Sequence, residues 1–218
     1  MDFRWDLIAE YGPFFLKGTL LTIGFSLAGI FFGTILGLFI GLGKMMRNKW
    51  ATLPFNCYIG LFRGTPLMVQ ILLIHFAVVP FFIGTTNAIL AGILALSLNS
   101  AAYVSEIFRA GIQSIDRGQM EAARSLGMTH VQAMKFVILP QAFKRMIPPL
   151  GNEFIVLIKD SSLAALIAAP EIMYWGRAMQ GQYYRPWEPY LTSAMIYLVL
   201  TLSLSFLLTR LERRLATE

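Results

Sequence analysis

The chain has 218 residues, of which 56% are hydrophobic and 14% are charged, and its formal net charge is +6. This composition excludes an ordinary soluble domain and favours one integral membrane unit. Its basic residues lie between apolar runs, which argues against a nucleic-acid-binding protein. A single cysteine, Cys57, excludes an intrachain disulfide. The first residues contain acids and lack a small-residue cleavage site, so we expect no cleaved signal peptide.

The apolar segments predict an all-α integral membrane protein with five transmembrane helices in a single domain, residues 1–218. A helix needs about 20 apolar residues to cross the hydrocarbon core. The predicted spans cover about 14–44, 63–83, 87–111, 146–170 and 188–211. No charged residue occurs between Arg63 and Glu106. Pro80 and the turn-rich residues 84–87 divide that stretch into two spans.

In the first span, glycines recur at every fourth position, at Gly29, Gly33, Gly37 and Gly41. This spacing places four missing side chains on one helical face, so another helix can approach closely. Two interpretations stay open. The face packs within one subunit, as small-residue stripes commonly do in membrane bundles, or it forms part of a dimer interface.

The distribution of charge predicts the orientation of the spans. Three basic groups fall on one side, namely Lys44, Arg47 and Lys49, then Arg109 to Arg145, then Arg210, Arg213 and Arg214. On the other side, Arg4, Lys17, Arg177 and Arg185 are balanced by Asp2, Asp6, Glu10, Glu171 and Glu188. By the positive-inside rule, we expect the N-terminus outside, and the C-terminus and the loop at 116–142 in the cytoplasm.

That loop is too charged, and too broken by Gly127 and Pro140, to cross a bilayer, yet its apolar residues recur at helical spacing. It predicts two short surface helices. Glu121 is expected to stabilise a helix start, Ala122 and Ala123 to offer a small contact surface, and Gly127 to permit a sharp turn. Pro140 is expected to mark a boundary before the membrane. The alternative is an amphipathic helix that lies on lipid headgroups.

The same loop carries a family resemblance, because its pattern is EAA, three residues, Gly, nine residues and then a closing apolar-x-Leu-Pro. The matching positions are Glu121, Ala122, Ala123, Gly127, Val137, Leu139 and Pro140. This pattern resembles the EAA loop of ABC importer permeases, with Val137 in the place of Ile. The resemblance implies cytoplasmic coupling helices that dock on an ATPase subunit.

Three further segments resemble the polar amino acid branch of that family, namely 62–70, 152–154 and 159–163. The resemblance implies a permease subunit in a prokaryotic inner membrane that imports polar amino acids. Two acids of the fourth predicted span, described below, favour cationic ones such as arginine, lysine or histidine. Permeases for glutamine or another uncharged or acidic amino acid are the alternative. The implied partners are a second permease subunit, most simply in a homodimer, two ATP-binding cassette ATPases and an extracytoplasmic amino-acid-binding protein.

No G-x-x-x-x-G-K-[ST] loop occurs, and neither metal-enzyme nor acyl-transfer motifs are found. We therefore expect a transport subunit that is not itself an enzyme and binds no cofactor or metal, with ATP and Mg on the partner ATPase. Two rivals stay open. A secondary transporter or channel would run without an ATPase, and a non-transporting assembly subunit would show no ligand dependence.

Two acids in the fourth predicted span, Glu153 and Asp160, are the strongest candidates for binding the substrate, because ionisable groups within a membrane segment usually face a cavity or a partner. Seven residues apart, they return to nearly the same helical face. Two carboxylates on one face would attract a cationic side chain. The alternative is that either acid pairs with Lys159 or Arg63, or caps a broken helix.

Other polar residues are weaker candidates for the pathway. Ser161 and Ser162, with Pro148 and Pro149, predict a discontinuous fourth span whose freed backbone groups line the path. The neighbouring spans contribute Gln70, His75 and Asn99, although such residues often bond to a nearby helix instead. In the segment 62–67, Arg63 and Pro66 are candidates for a cytoplasmic-side gate or for helix packing, and Arg63 could also contact headgroups.

Overall fold

The structure is a computed structural model that describes residues 3–46 and 48–216. Throughout these ranges the ordered elements are helical, with no strand. The helices are α1 (Trp5–Lys44), α2 (Lys49–Gly64), α3 (Leu67–Leu73), α4 (Val79–Ile83), α5 (Ala88–Gln113), α6 (Arg117–Ser125), α7 (His130–Ala133), α8 (Leu139–Asp160), α9 (Ile172–Tyr183) and α10 (Trp187–Ala216). Asp2 and Arg47, two of the charges from which the orientation of the spans was predicted, lie outside the described residues.

The glycine face of α1 packs against α5 within the chain. A β-carbon built on Gly37 would lie 2.8 Å from Val104 Cβ and 2.9 Å from the carbonyl oxygen of Ala101, and one on Gly33 would lie 2.9 Å from Ser100 Cβ. Gly41 meets the backbone of Ser105 in the same way. The expectation of packing within one subunit therefore holds for this face. The alternative, a dimer interface, is wrong because α5 already covers it.

Helix α2 was not predicted from the sequence. It contains Lys49, Arg63 and Pro54, and it packs its apolar side against α1, where Phe55 covers Gly43. A bend of 106° at residues 65–66 separates α2 from the following helical segment, which ends at Ile83. The predicted second span, 63–83, therefore begins in the last turn of α2, just before this bend. Pro66 caps the N-terminus of α3 without a side-chain hydrogen bond.

Two π-helical turns precede prolines, at Ile74–Val78 before Pro80 and at Met134–Ile138 before Pro140. A proline lacks the N–H for a helical bond and its ring crowds the carbonyl four residues earlier, so a locally wider turn keeps the chain helical. Pro140 therefore does not end a helix. Because α7 continues through this turn into α8, the expected boundary at Pro140 is wrong.

The fourth predicted span, 146–170, is continuous through Pro148 and Pro149, which lie inside α8. The helix type changes only at Ser161, where a 3-10 helix covers Ser161–Ile167. Ala168 ends that helix in the left-handed region, with φ 59°. The expected discontinuity thus lies after Asp160 and not at the prolines.

The surface helix α9, also absent from the sequence prediction, is fixed by the buried carboxylate of Glu171. Glu171 Oε1 accepts from the backbone N of Tyr174 at 2.7 Å, and Oε2 accepts from the hydroxyls of Thr22, at 3.5 Å, and Tyr197. These bonds join α1, α9 and α10. Burial raises the pKa of the Glu171 carboxyl, because loss of solvent outweighs the hydrogen bonds that favour its charged form.

Among the described residues, the helices α1, α5 and α10 are long and apolar enough to cross a membrane, and the bent pair of α2 with residues 67–83 could provide a fourth span. Helix α8 does not meet that standard; it carries Glu153, Lys159 and Asp160 in its second half. The count of five spans, their boundaries and their orientation stay predictions. At about 1.5 Å per residue, α1 is about 60 Å long, roughly twice the hydrocarbon thickness.

Candidate functional site

A cavity of about 560 Å³ lies between α2, α5 and α8. Helix α5 contributes one face to it, since Tyr103, Glu106, Ile107 and Ala110 recur at helical spacing. The other charged or polar lining residues are Arg63, Ser114, Arg145, Asn152 and Glu153. The structure therefore brings together Arg63 and Glu153, which the sequence assigned to a gate and to the substrate. Asp160, Ser161 and Ser162 lie outside this lining.

Glu153 is 9% exposed and forms no ion pair with any described residue. The hydroxyl of Ser100 lies beside it, but Ser100 Oγ is buried without a hydrogen-bond partner among the described residues. Arg63 is exposed; its guanidinium carbon lies 5.2 Å from the centre of the Tyr103 ring. The expected alternative, in which Glu153 pairs with Arg63 or Lys159, is not what the structure shows. The cavity thus presents opposite charges that do not neutralise each other.

Asp160 is partly buried at the end of α8 and forms no ion pair, with Lys159 or with any other of the described residues. The hydroxyls of Ser161 and Ser162 donate to the carbonyls of Ile158 and Lys159, at 2.8 and 2.6 Å. Each serine therefore returns its hydrogen bond to the preceding turn. A direct role for these three residues in binding substrate stays a prediction.

Gln70 and Asn99 hold the bend between α2 and α3. Asn99 Nδ2 lies 2.9 Å from Gln70 Oε1 and 3.2 Å from the carbonyl oxygen of Phe62. Gln70 Nε2 donates to the carbonyl of Phe62 at 2.9 Å and to the Thr65 hydroxyl at 2.9 Å. These bonds satisfy backbone groups that the bend leaves free. Substrate contact by this pair stays a prediction. His75, in the first π-helical turn, is buried, and its Nδ1 has no hydrogen-bond partner among the described residues.

An ionic cluster at the wall of the cavity was missed by sequence reasoning. Glu106 Oε1 accepts from Lys44 Nζ at 2.5 Å, and Glu106 Oε2 pairs with Arg109 at 2.8 Å. The cluster ties the C-terminal end of α1 to α5. The signal was present, because Lys44 and Glu106 are the first charges after two long uncharged runs, and the parallel packing of α1 and α5 brings these two ends together.

The loop at 116–142 forms the expected turn. Gly127 has φ 85°, a conformation that glycine adopts without a steric penalty. Asp116 caps α6 by accepting from the backbone N of Gly118 at 2.7 Å, whereas Glu121 lies mid-helix, so the expected start at Glu121 is wrong. Ala122 is exposed, but Ala123 is buried inside the chain and cannot contact a partner. Leu139 and Pro140 are exposed in the first turn of α8.

This helical arrangement recurs in known proteins. The family model described as "Binding-protein-dependent transport system inner membrane component" matches residues 20–217. The chain belongs to this family. This permease is 37% identical over 215 residues to the putative glutamine transport system permease protein GlnP of Rickettsia bellii. The match covers 97% of this chain and 98% of that protein. It is 36% identical over 216 residues to the glutamine transport system permease protein GlnP of Escherichia coli, with 99% of both chains covered.

A solved structure described as an amino acid ABC transporter with histidines superposes on the permease with a TM-score of 0.92. Its sequence is 45% identical, and the match covers 98% of this chain and 100% of that one. The family resemblance predicted from residues 121–140 is therefore confirmed, together with an inner-membrane location.

Proposed function

We propose that the permease is a transmembrane subunit of an ATP-driven importer for polar amino acids, and that glutamine is its principal substrate. The names of the two relatives support glutamine. This is the alternative that the sequence left open beside a cationic amino acid. The substrate is moved and not chemically changed.

The observation that carries this proposal is the buried, unpaired carboxylate of Glu153 in one cavity with Arg63. Every free amino acid bears an ammonium and a carboxylate, which match these two charges. A substrate would supply the partner that a buried carboxylate requires. The side chains of Asn152 and Tyr103 offer hydrogen-bonding groups to an uncharged amide in the same cavity.

A cationic amino acid, such as arginine, lysine or histidine, is the second candidate. Glu153 and Asp160 are seven residues apart on α8 and therefore lie on nearly one face of it. The 45% identical transporter was solved with histidines, according to its description. Two carboxylates would bind a second positive charge, which glutamine lacks.

The assembly we propose contains two copies of the permease, two ATPase subunits that hold ATP and Mg, and an extracytoplasmic amino-acid-binding protein. In it the N-terminus is outside and the loop at 116–142 is cytoplasmic. The loop presents Ala122 with two exposed apolar side chains, Leu126 and Val131. These residues would dock on the ATPase, whose closure would rock the helices between inward-open and outward-open states. The bend at Pro66 would let Arg63 move at the cavity mouth.

The test is uptake of labelled glutamine, histidine and arginine into proteoliposomes that contain the complete importer and its binding protein. We expect uptake only with ATP at the ATPase face, with glutamine fastest. The double substitution Glu153→Gln with Asp160→Asn should lower uptake about tenfold, the equivalent of losing one charged contact. Glu10→Gln, at an exposed carboxylate, is the matched control.

ATP-independent uptake would contradict the importer and support the secondary transporter. If the wild type takes up arginine fastest and the double substitution abolishes only that preference, the principal substrate is a cationic amino acid and not glutamine. Unchanged uptake in the double variant would show that the two acids are structural.

A further inference from the structure

A second pocket, of about 430 Å³, lies at the end of the helical bundle opposite the loop at 116–142. Its walls are the 3-10 helix after α8 and the surface helix α9. Three side chains give it polar character, namely Tyr174, Arg177 and Gln180. Helix α9 packs on the N-terminal half of α1, at Gly18, whereas Lys44 at the other end of α1 meets Glu106. The orientation proposed above makes this pocket extracellular.

Arg177 differs from two other cations at the same end of the molecule. Arg4 pairs with Asp6, and Arg185 pairs with Glu188 at 2.6 Å. Arg177 is exposed and has neither an ion pair nor a hydrogen bond within residues 3–46 and 48–216. A guanidinium within a pocket and without a carboxylate partner offers up to five donors to an incoming anion.

The backbone that carries Arg177 is held in place by close contacts with α1 and by a hydrogen bond. Gly18 lets α1 approach the backbone of Glu171 and Ile172 so closely that a β-carbon would lie 2.9 Å from either. The indole Nε1 of Trp175 donates to the carbonyl of Pro170 at 3.0 Å. Ala168 lies on the pocket wall in the left-handed region. Preorganisation of this kind favours binding, because less conformational freedom is lost.

One wall of the pocket belongs to the same helical element as Glu153 and Asp160, the candidates for binding the substrate. Helix α8 bears Glu153 and then Asp160, and the 3-10 helix that starts at the next residue leads to the pocket wall at Ala165.

We propose that this pocket binds a carboxylate through Arg177, with Tyr174 and Gln180 as additional hydrogen-bond donors. The proposal rests on the proposed function, since that function supplies two sources of a carboxylate at this face. One is the α-carboxylate of the arriving amino acid. The other is an acidic side chain of the binding protein.

The test uses the complete importer in proteoliposomes and varies the concentration of the substrate-loaded binding protein. The variants are Arg177→Gln, which removes the charge, and Arg177→Lys, which keeps a charge but not the planar fork. Lys17→Gln is the control, because Lys17 is an exposed cation on α1, near the same end and outside the pocket. Size-exclusion elution shows whether each variant assembles.

If the carboxylate comes from the binding protein, Arg177→Gln should raise the half-saturating concentration of the binding protein about tenfold. That concentration should also depend more steeply on salt in the wild type than in the variant. If the carboxylate comes from the substrate, Arg177→Gln should leave the half-saturating concentration of the binding protein unchanged and lower the maximal uptake rate about tenfold. In both cases Arg177→Lys is intermediate and Lys17→Gln matches the wild type.

The proposal is overturned if Arg177→Gln assembles and behaves like Lys17→Gln in both measurements. If Arg177→Gln does not assemble, Arg177→Lys decides: a change of less than about twofold in both measurements overturns the proposal. A wild type without ATP-dependent uptake would instead refute the proposed function, so the two failures are distinguishable.

Discussion

Glu153 and Glu171 are both buried carboxylates, but their surroundings are opposite. Glu171 is fully buried and accepts hydrogen bonds from a backbone N–H and two hydroxyls, which join α1, α9 and α10. Glu153 faces a cavity and has no ion pair among the described residues. A carboxylate whose oxygens are all used holds the fold together. One whose oxygens are free is available to a ligand.

The strongest test of the structural role is Glu171→Ala, which removes the N-cap of α9 and leaves the hydroxyls of Thr22 and Tyr197 without their acceptor. We expect a loss of about 2–4 kcal/mol in the free energy of unfolding. Thermal unfolding of the purified permease in detergent measures it. Glu171→Gln keeps an acceptor and should lose much less. An equal loss in both variants would show that the charge, and not the acceptor, matters.

The same contrast between packed and open surfaces divides helix α5. One face, with Ala101 and Val104, contacts the glycines of α1, while the opposite face, with Tyr103 and Glu106, lines the cavity. The first leaves no space for an added methyl group, and the second leaves a cavity. The helical period therefore separates packing from function on one element.

For Gly37→Ala we expect a smaller loss, about 1–3 kcal/mol in the free energy of unfolding, because the added β-carbon would meet Val104 and the backbone of Ala101. Gly24→Ala is the matched control on the same helix, since nothing lies within 4 Å of its β-carbon. Alanine is the better helix former, so Gly24→Ala should be neutral or slightly stabilising. Thermal unfolding compares the two, and equal midpoints would contradict the close approach of α1 and α5.

The sequence predicted the features that depend on local chemistry. The family resemblance of residues 121–140 is confirmed. The turn at Gly127 and the packing face of α1 also lie where composition and spacing indicated. The apolar runs predicted the long helices α1, α5 and α10, because length and hydropathy are properties of single segments.

What the sequence did not predict depends on tertiary contacts. Helices α2 and α9 are too mixed in composition to be recognised as spans, and packing on α1 holds them in place. Pro140, Pro148 and Pro149 indicated breaks, but a π-helical turn and the surrounding helices keep α8 continuous. The pair Lys44 and Glu106 is 62 residues apart in sequence and forms only when α1 and α5 pack.

The contrast between the two buried carboxylates is measured most directly by ATP-dependent glutamine uptake of the complete importer with Glu153→Gln or Glu171→Gln in the permease. We predict that Glu153→Gln lowers uptake about tenfold and leaves the unfolding midpoint near that of the wild type, whereas Glu171→Gln lowers the midpoint slightly and leaves uptake near that of the wild type. Normal uptake with Glu153→Gln would contradict the proposed site, because the unpaired carboxylate would then have no part in transport.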